Sequence, residues 1–241
     1  MQLKSSELLL NIRIVFSSFV VAHLVYAAIV LLSIDLTQDE DPKISAYGRL
    51  RWRLLTCWFN LFMLLYFPVT IYCDWKQKMG KWDSRRVTLL RTAKDTVMTS
   101  IIFPTTTYSD YFFWRMWHQD PTLIGPEAVF NYMPSWGQHS LHTLSGLTVI
   151  LDILLTPRRR PKSILPGLSL TFAFCVVYTL VLIISYYNGD VVYNLIEIFN
   201  KQQLILLVLL AFLEHTFFYT LQWCIIDTVH GKLGKNIQKY D

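Results

Sequence analysis

Six apolar stretches, each about long enough to cross a bilayer, constrain this chain more than any other feature of its sequence. A helix spanning roughly 30 Å of hydrocarbon needs about 20 predominantly apolar residues at 1.5 Å each, with every backbone polar group paired inside the segment. The stretches run from about Leu9 to Ser33, Arg53 to Cys73, Val87 to Trp117, Trp136 to Leu155, Ile164 to Tyr186 and Leu204 to Ile226. They predict an all-α, polytopic membrane protein, a single domain over residues 1–241 built as a bundle of about six transmembrane helices. The third stretch contains Asp95 and Pro104 yet stays aromatic to Trp117, which predicts one long helix kinked where Pro104 breaks the backbone ladder. No small-residue cleavage site follows the first stretch, so it is expected to be retained as a helix. Composition agrees, because 53% hydrophobic and 16% charged residues leave too little charge to clothe a water-soluble surface.

Orientation follows from lysine and arginine placement, since short loops rich in them stay cytoplasmic. Lys76, Lys78, Lys81, Arg85 and Arg86 follow the second stretch, and Arg158, Arg159, Arg160 and Lys162 follow the fourth. Lys232, Lys235 and Lys239 lie in the tail, whereas the segment between Arg115 and Arg158 has no lysine or arginine and the loop after the fifth stretch has only Lys201. Both termini are therefore expected in the cytoplasm. The connection after the first stretch mixes Asp35, Asp39, Glu40 and Asp41 with Lys43, Arg49, Arg51 and Arg53, and an even helix count places it outside. The formal charge of +5 resides largely in the cytoplasmic loops, which points to anionic lipid headgroups as counter-charge and away from nucleic acid. Cys57, Cys73, Cys175 and Cys224 fall within or at the ends of helices without a C-x-x-C pair, so neither a disulfide framework nor a thiolate metal site is expected.

An ionisable residue inside a membrane is a functional candidate by default. Asp95, Asp110, His139, His142, Asp152, Glu214 and His215 qualify. Two groups meet by depth. Thr56 and His142 lie near the outer starts of the second and fourth helices, which at 1.5 Å per residue puts them within roughly 5 Å of one another in depth. A hydroxyl and an imidazole at one level can act as nucleophile and base. The bland alternative for Thr56 is a back-bond from its hydroxyl to the carbonyl of Trp52, and for His142 a satisfied structural imidazole.

Two segments carry a resemblance to a known family. Trp52-Arg53-Leu54-Leu55-Thr56 resembles the W-[KR]-x-L-T segment of the androgen-inducible / androgen-dependent TFPI-regulating protein family. Met133 to Thr143 is similar to that family's P-x-W-x-N-H-x-x-H-T segment, with Gln138 where the family usually has asparagine. Phe103-Pro104 with Trp114, and Asp120, Ile124 and Pro126 beyond it, also resemble family positions. The resemblance implies a six-pass hydrolase of fatty-acid esters of hydroxy fatty acids, with Thr56 as nucleophile, His142 as base and no cofactor. Its substrate would be a lipid ester. The resemblance, with the absence of any glycosylation sequon, favours the endoplasmic reticulum membrane over the plasma membrane. Asp110, near the outer end of the third helix, is the candidate for a third, orienting member, and an ordinary interface carboxylate is the rival reading.

Other readings stay open at this stage. A zinc-dependent lipid hydrolase would use His139, His142 and perhaps His215, the first two sharing a helix face. A transporter would string Asp95, Asp152 and Glu214 along a water-filled path. A non-catalytic lipid-binding protein would need none of these. Arg49, Arg51 and Arg53 flank Thr56 and either pair with a fatty-acid carboxylate or snorkel to the headgroups.

Overall fold

Backbone amides have no water to bond in hydrocarbon, and the regular elements among the described residues of this chain are all helices. The computed structural model describes residues 2–237, with side chains from 7 to 231; of the tail lysines, Lys239 lies outside the described residues. The elements are α1 (Gln2–Leu32), α2 (Pro42–Leu50), α3 (Leu55–Lys78), α4 (Arg85–Val97), α5 (Phe103–Gln119), α6 (Glu127–Tyr132), α7 (Ser135–His139), α8 (Ser145–Leu155), α9 (Leu165–Tyr187), α10 (Leu195–Ile198) and α11 (Lys201–Ile237). π-Turns at Met98–Ile102 and Ser140–Leu144 join α4 to α5 and α7 to α8, making continuous rods over 85–119 and 135–155.

Among the described residues four segments are long and apolar enough to cross a membrane: Glu7–Leu32, Pro42–Lys78, Leu165–Tyr187 and Lys201–Gly231. The remaining two rods are more polar or interrupted. One carries Arg91, Lys94, Asp95 and Asp110, and the other is divided by its π-turn. Polarity is distributed inside out. Leu206, Leu209, Leu213 and Phe217 of α11 are more than half exposed, while Ser17, Thr70, Thr105, Thr106 and Thr171 are buried. Such a belt of exposed large apolar side chains suits lipid and not water. Phe59, Met63 and Phe67 of α3 fill the centre against Met98, Ile102, Val149 and Tyr219.

Several local expectations are corrected. The connection after α1 contains a helix, α2, whose start is written in Asp41-Pro42: Asp41 accepts the N–H of Lys43 at 2.8 Å and Pro42 needs no partner for a missing N–H. The long rod expected around Pro104 runs through it, and its backbone ladder is interrupted there. The π-turn just before it sends the Phe103 N–H back to Met98 O. Pro104 has no N–H to offer the carbonyls behind it, and side chains from other helices fill the gap. Thr171 of α9 donates to Ser100 O at 2.6 Å and Gln222 of α11 to Thr99 O at 2.6 Å.

Arg158 is also not a free loop charge. It folds back to donate to the Asp152 carboxylate and the Tyr66 hydroxyl at 2.6 Å each, and to Asp95 at 3.3 Å. The same end of the bundle holds the contacts Arg13–Asp74, Lys78–Asn11, Arg160–Asp227 and His230 with Ile153 O. The basic loops, the start of α1 and the far part of α11 thus gather at one end.

Candidate active site

Thr56 owes its setting to an interrupted chain. Leu54 is extended (φ −65°, ψ 137°), so α3 begins at Leu55 and Thr56 occupies its first turn. The first N–H groups of a helix lack intrahelical partners. That of Leu55 is taken by the Tyr193 hydroxyl at 2.9 Å; Tyr193 and Tyr178 hydroxyls lie 2.9 Å apart, and Tyr178 donates to Arg53 O at 3.0 Å. Arg53 is itself fixed by Asp190 at 2.7 Å and Ser185 at 3.0 Å. Tyrosines from beyond the helix therefore clamp Leu55 and Arg53, the first and third residues before Thr56.

The expected back-bond of Thr56 to Trp52 O is absent, and Trp52 O instead accepts the Trp58 indole N–H at 3.1 Å. Thr70, Thr179, Thr216 and Thr228 do return their hydroxyls four residues back, as threonines inside helices commonly do. Thr56, in the first turn, has no helical carbonyl behind it. Its Oγ1 faces His142 Nε2 at 3.5 Å.

His142 sits inside the second π-turn, where irregular helix commonly marks function. Its ring lies flat on Phe113, with centroids 3.6 Å apart and planes 1° from parallel, and its own carbonyl accepts the Trp114 indole N–H at 2.8 Å. His23 of α1 meets Ser140 of the same turn at 2.9 Å. On the edge of the ring away from Thr56, Nδ1 faces Asp110 Oδ1 at 3.5 Å.

Thr56 and His142 line a cavity of about 1200 Å³ whose walls are mostly apolar side chains of α1, α3, α5, α9 and α11. Gln138, Asn60 and Arg51 also reach it. Asn60 donates to Thr56 O at 2.8 Å.

The other sequence candidates disperse. His139 is exposed and turned to Thr143 at 3.2 Å. His215 lines the cavity wall against Tyr108, the ring centroids 4.2 Å apart and the planes tilted by 39°, with its Nδ1 2.7 Å from Ala211 O. Among the described residues no three His, Cys, Asp or Glu side chains converge as a metal site would require. Asp95 and Asp152 are paired with Arg158, and Glu214 lies 3.7 Å from Arg115, so the three do not share a path. Arg53 is held by Asp190, and Arg51 donates to Ile34 O at 3.0 Å, so neither arginine is simply stretched to the headgroups. Sequence reasoning missed Tyr178, Tyr193 and His23. Their signal was present, since each is a polar-tipped ring within or beside an apolar stretch and needs a partner when buried.

The fold and site define a polytopic all-α membrane protein in which a threonine and a histidine face each other on an apolar cavity. The chain belongs to the FAR-17a/AIG1-like protein family, which it matches over residues 14–225. It is 28% identical to the androgen-dependent TFPI-regulating protein of Homo sapiens over 200 residues, covering 82% of this chain and 84% of that one. It is 27% identical to the Mesocricetus auratus protein of the same name over 191 residues, 77% of this chain and 80% of the relative. Against the androgen-induced gene 1 protein of Homo sapiens the figures are 25% over 164 residues, 66% and 68%. No solved structure matches the chain.

Proposed function

We propose that this chain is a membrane-embedded ester hydrolase that cleaves fatty-acid esters of hydroxy fatty acids, with Thr56 as nucleophile and His142 as base. The observation that carries the reading is the 3.5 Å approach of Thr56 Oγ1 to His142 Nε2 on the wall of a large apolar cavity. Family membership supports it. His142 Nε2 takes the Thr56 hydroxyl proton as Oγ1 attacks the ester carbonyl carbon. The tetrahedral intermediate collapses, the bond to the leaving alcohol oxygen breaks, and His142 returns the proton to that oxygen. A water then gives its proton to His142 and its oxygen to the acyl carbon, the bond to Oγ1 breaks, and Thr56 recovers the proton. The products are a carboxylic acid and a hydroxy fatty acid.

The cavity suits such a substrate, being larger than the roughly 300–1,000 Å³ of ordinary ligand pockets and so able to take two acyl chains. The geometry gives more support to this reading than to a zinc hydrolase or a transporter, whose residues are dispersed or paired. We place the six long rods across the membrane with both termini cytoplasmic, in the endoplasmic reticulum. A tag inserted near Pro126 should then be shielded from the cytoplasm while terminal tags are reached from it.

Labelling with a serine- and threonine-directed fluorophosphonate, followed by peptide mass spectrometry, tests the chemistry. An adduct on Thr56 is expected. Hydrolysis of a branched fatty-acid ester by purified protein that carries no Thr56 adduct, and is unaffected by its replacement, would overturn the proposal.

A further inference from the structure

We infer that Asp110 is a positioning residue for His142, an inference that rests on the threonine-hydrolase reading. If His142 is to accept a proton at Nε2, the neutral ring must carry its own proton on Nδ1. That N–H is buried and points toward Asp110 Oδ1, 3.5 Å away. Neither atom has another partner: His142 Nδ1 and Asp110 Oδ1 are both buried without a hydrogen bond. Buried polar atoms are rarely left so, and two of opposite character facing each other are one small movement from a bond. Hydrogen bonds of this kind are often long in a resting site and tighten once substrate is bound.

The surroundings hold the carboxylate in that position. The single Ser145 hydroxyl proton lies between Asp110 Oδ2 and the Leu141 carbonyl, each 2.7 Å from Oγ, so Ser145 faces Oδ2 and leaves Oδ1 for the imidazole. Residue 146 is glycine where Oδ2 passes the α8 backbone, and a Cβ there would stand 2.9 Å from that oxygen. Phe113 lies flat on one face of the ring and blocks its movement toward that side. Asp110 itself is not part of the cavity lining and lies behind the histidine. It keeps its charge throughout the reaction. The proton travels from Thr56 to His142 Nε2 and on to the leaving oxygen, and the carboxylate stabilises the transient imidazolium and fixes the tautomer. Without a counter-charge that cation would form in an apolar site at a steep cost.

The test uses the full-length protein in lipid nanodiscs, with steady-state hydrolysis of a branched fatty-acid ester and ¹⁵N NMR of labelled histidine, His142 being assigned by comparison with His142→Ala. In the wild type His142 should carry its proton on Nδ1. Asp110→Asn should move it to Nε2 and lower kcat about 10²- to 10⁴-fold, with KM within about twofold. Should that variant fail to accumulate, Ser145→Ala serves in its place, keeping the carboxylate but freeing Oδ2, with kcat expected about tenfold lower at unchanged KM. An active wild type labelled on Thr56, whose variant keeps its kcat or whose His142 tautomer does not depend on residue 110, overturns this inference alone. A wild type with neither hydrolysis nor a Thr56 adduct overturns the hydrolase reading as well.

Discussion

The Tyr178 hydroxyl donates to the carbonyl of Arg53, three residues before Thr56, and so ties α9 to the point where α3 begins. Through Tyr193 the same chain of hydroxyls reaches the Leu55 N–H. Tyr178→Phe breaks the ring of bonds while keeping the aromatic packing against Trp58. The loss leaves buried polar groups unpaired, which costs about 1–3 kcal/mol of stability. Displacement of a reacting atom by about 1 Å can lower rate 10²-fold. We expect Tyr178→Phe and Tyr193→Phe to accumulate in membranes with kcat reduced about 10- to 100-fold and a smaller change in KM. Wild-type kcat in both variants would show that the clamp does not govern Thr56.

The two histidines of α7 and the π-turn should separate cleanly. His142 faces Thr56, whereas His139 is exposed and bonds Thr143. His142→Ala removes the proposed base, and positioned general bases contribute about 10²- to 10⁴-fold. His139→Ala should lose less than about tenfold, because its tilted contact with Trp114 only buttresses the indole that holds the His142 carbonyl. Ester hydrolysis by the two purified variants checks this. Equal and complete loss in both would return attention to a shared role for the pair.

Depth along two helices that run in the same direction put Thr56 and His142 at one level, because helical rise is fixed and the helix starts were legible from apolar runs, and the family resemblance singled out the pair. The fine geometry was not legible. A π-turn shifts the face that later residues present, and nothing in Ser140–Leu144 by itself announces one. The break in the ladder at Pro104 was half legible: the missing N–H is a property of proline, but its compensation by Thr171 and Gln222 depends on helices 60 or more residues away in sequence. Arg158 was counted with the loop charges because sequence position cannot reveal that Asp152 and Asp95 draw it inward. Asp41-Pro42 was legible as a helix start and was overlooked, since the charges of that connection were read only for topology.

Over the end of the bundle away from the basic loops, α2 and α6 pack through Leu36, Ile44 and Val129, and Tyr132 donates to Asp39 at 2.5 Å. This bond, and then the Asp41 N–H, hold the Asp39 carboxyl below the usual carboxylate range. A group whose folded value is depressed contributes its stabilisation above the unfolded value and loses it as pH falls through the folded one. The latch should therefore be closed at neutral pH and open only in acid below the ordinary aspartate range of about 3.9. Hydrogen exchange of residues 36–48 and 127–132 should rise in Tyr132→Phe at pH 7, with little further rise on acidification. If the variant and the wild type exchange alike at both pH values, the bond does not secure the cap.

The nucleophile is tested by what a hydroxyl in the first turn of α3 can do. Had Thr56 back-bonded to Trp52, its removal would cost a helix little. It instead faces His142. Thr56→Ala and Thr56→Val should therefore abolish turnover and probe labelling while the protein accumulates normally, valine being the stricter control because it keeps the branched shape. Thr56→Ser keeps the attacking oxygen and loses the methyl that restricts its rotamer. It should retain partial activity, lower than wild type by about tenfold, and still take up the fluorophosphonate. Asn60, which bonds the Thr56 carbonyl, keeps the backbone in register in all three variants. Full hydrolysis of a branched fatty-acid ester by a well-expressed Thr56→Ala protein would remove this residue from the mechanism and leave family membership as a statement about fold.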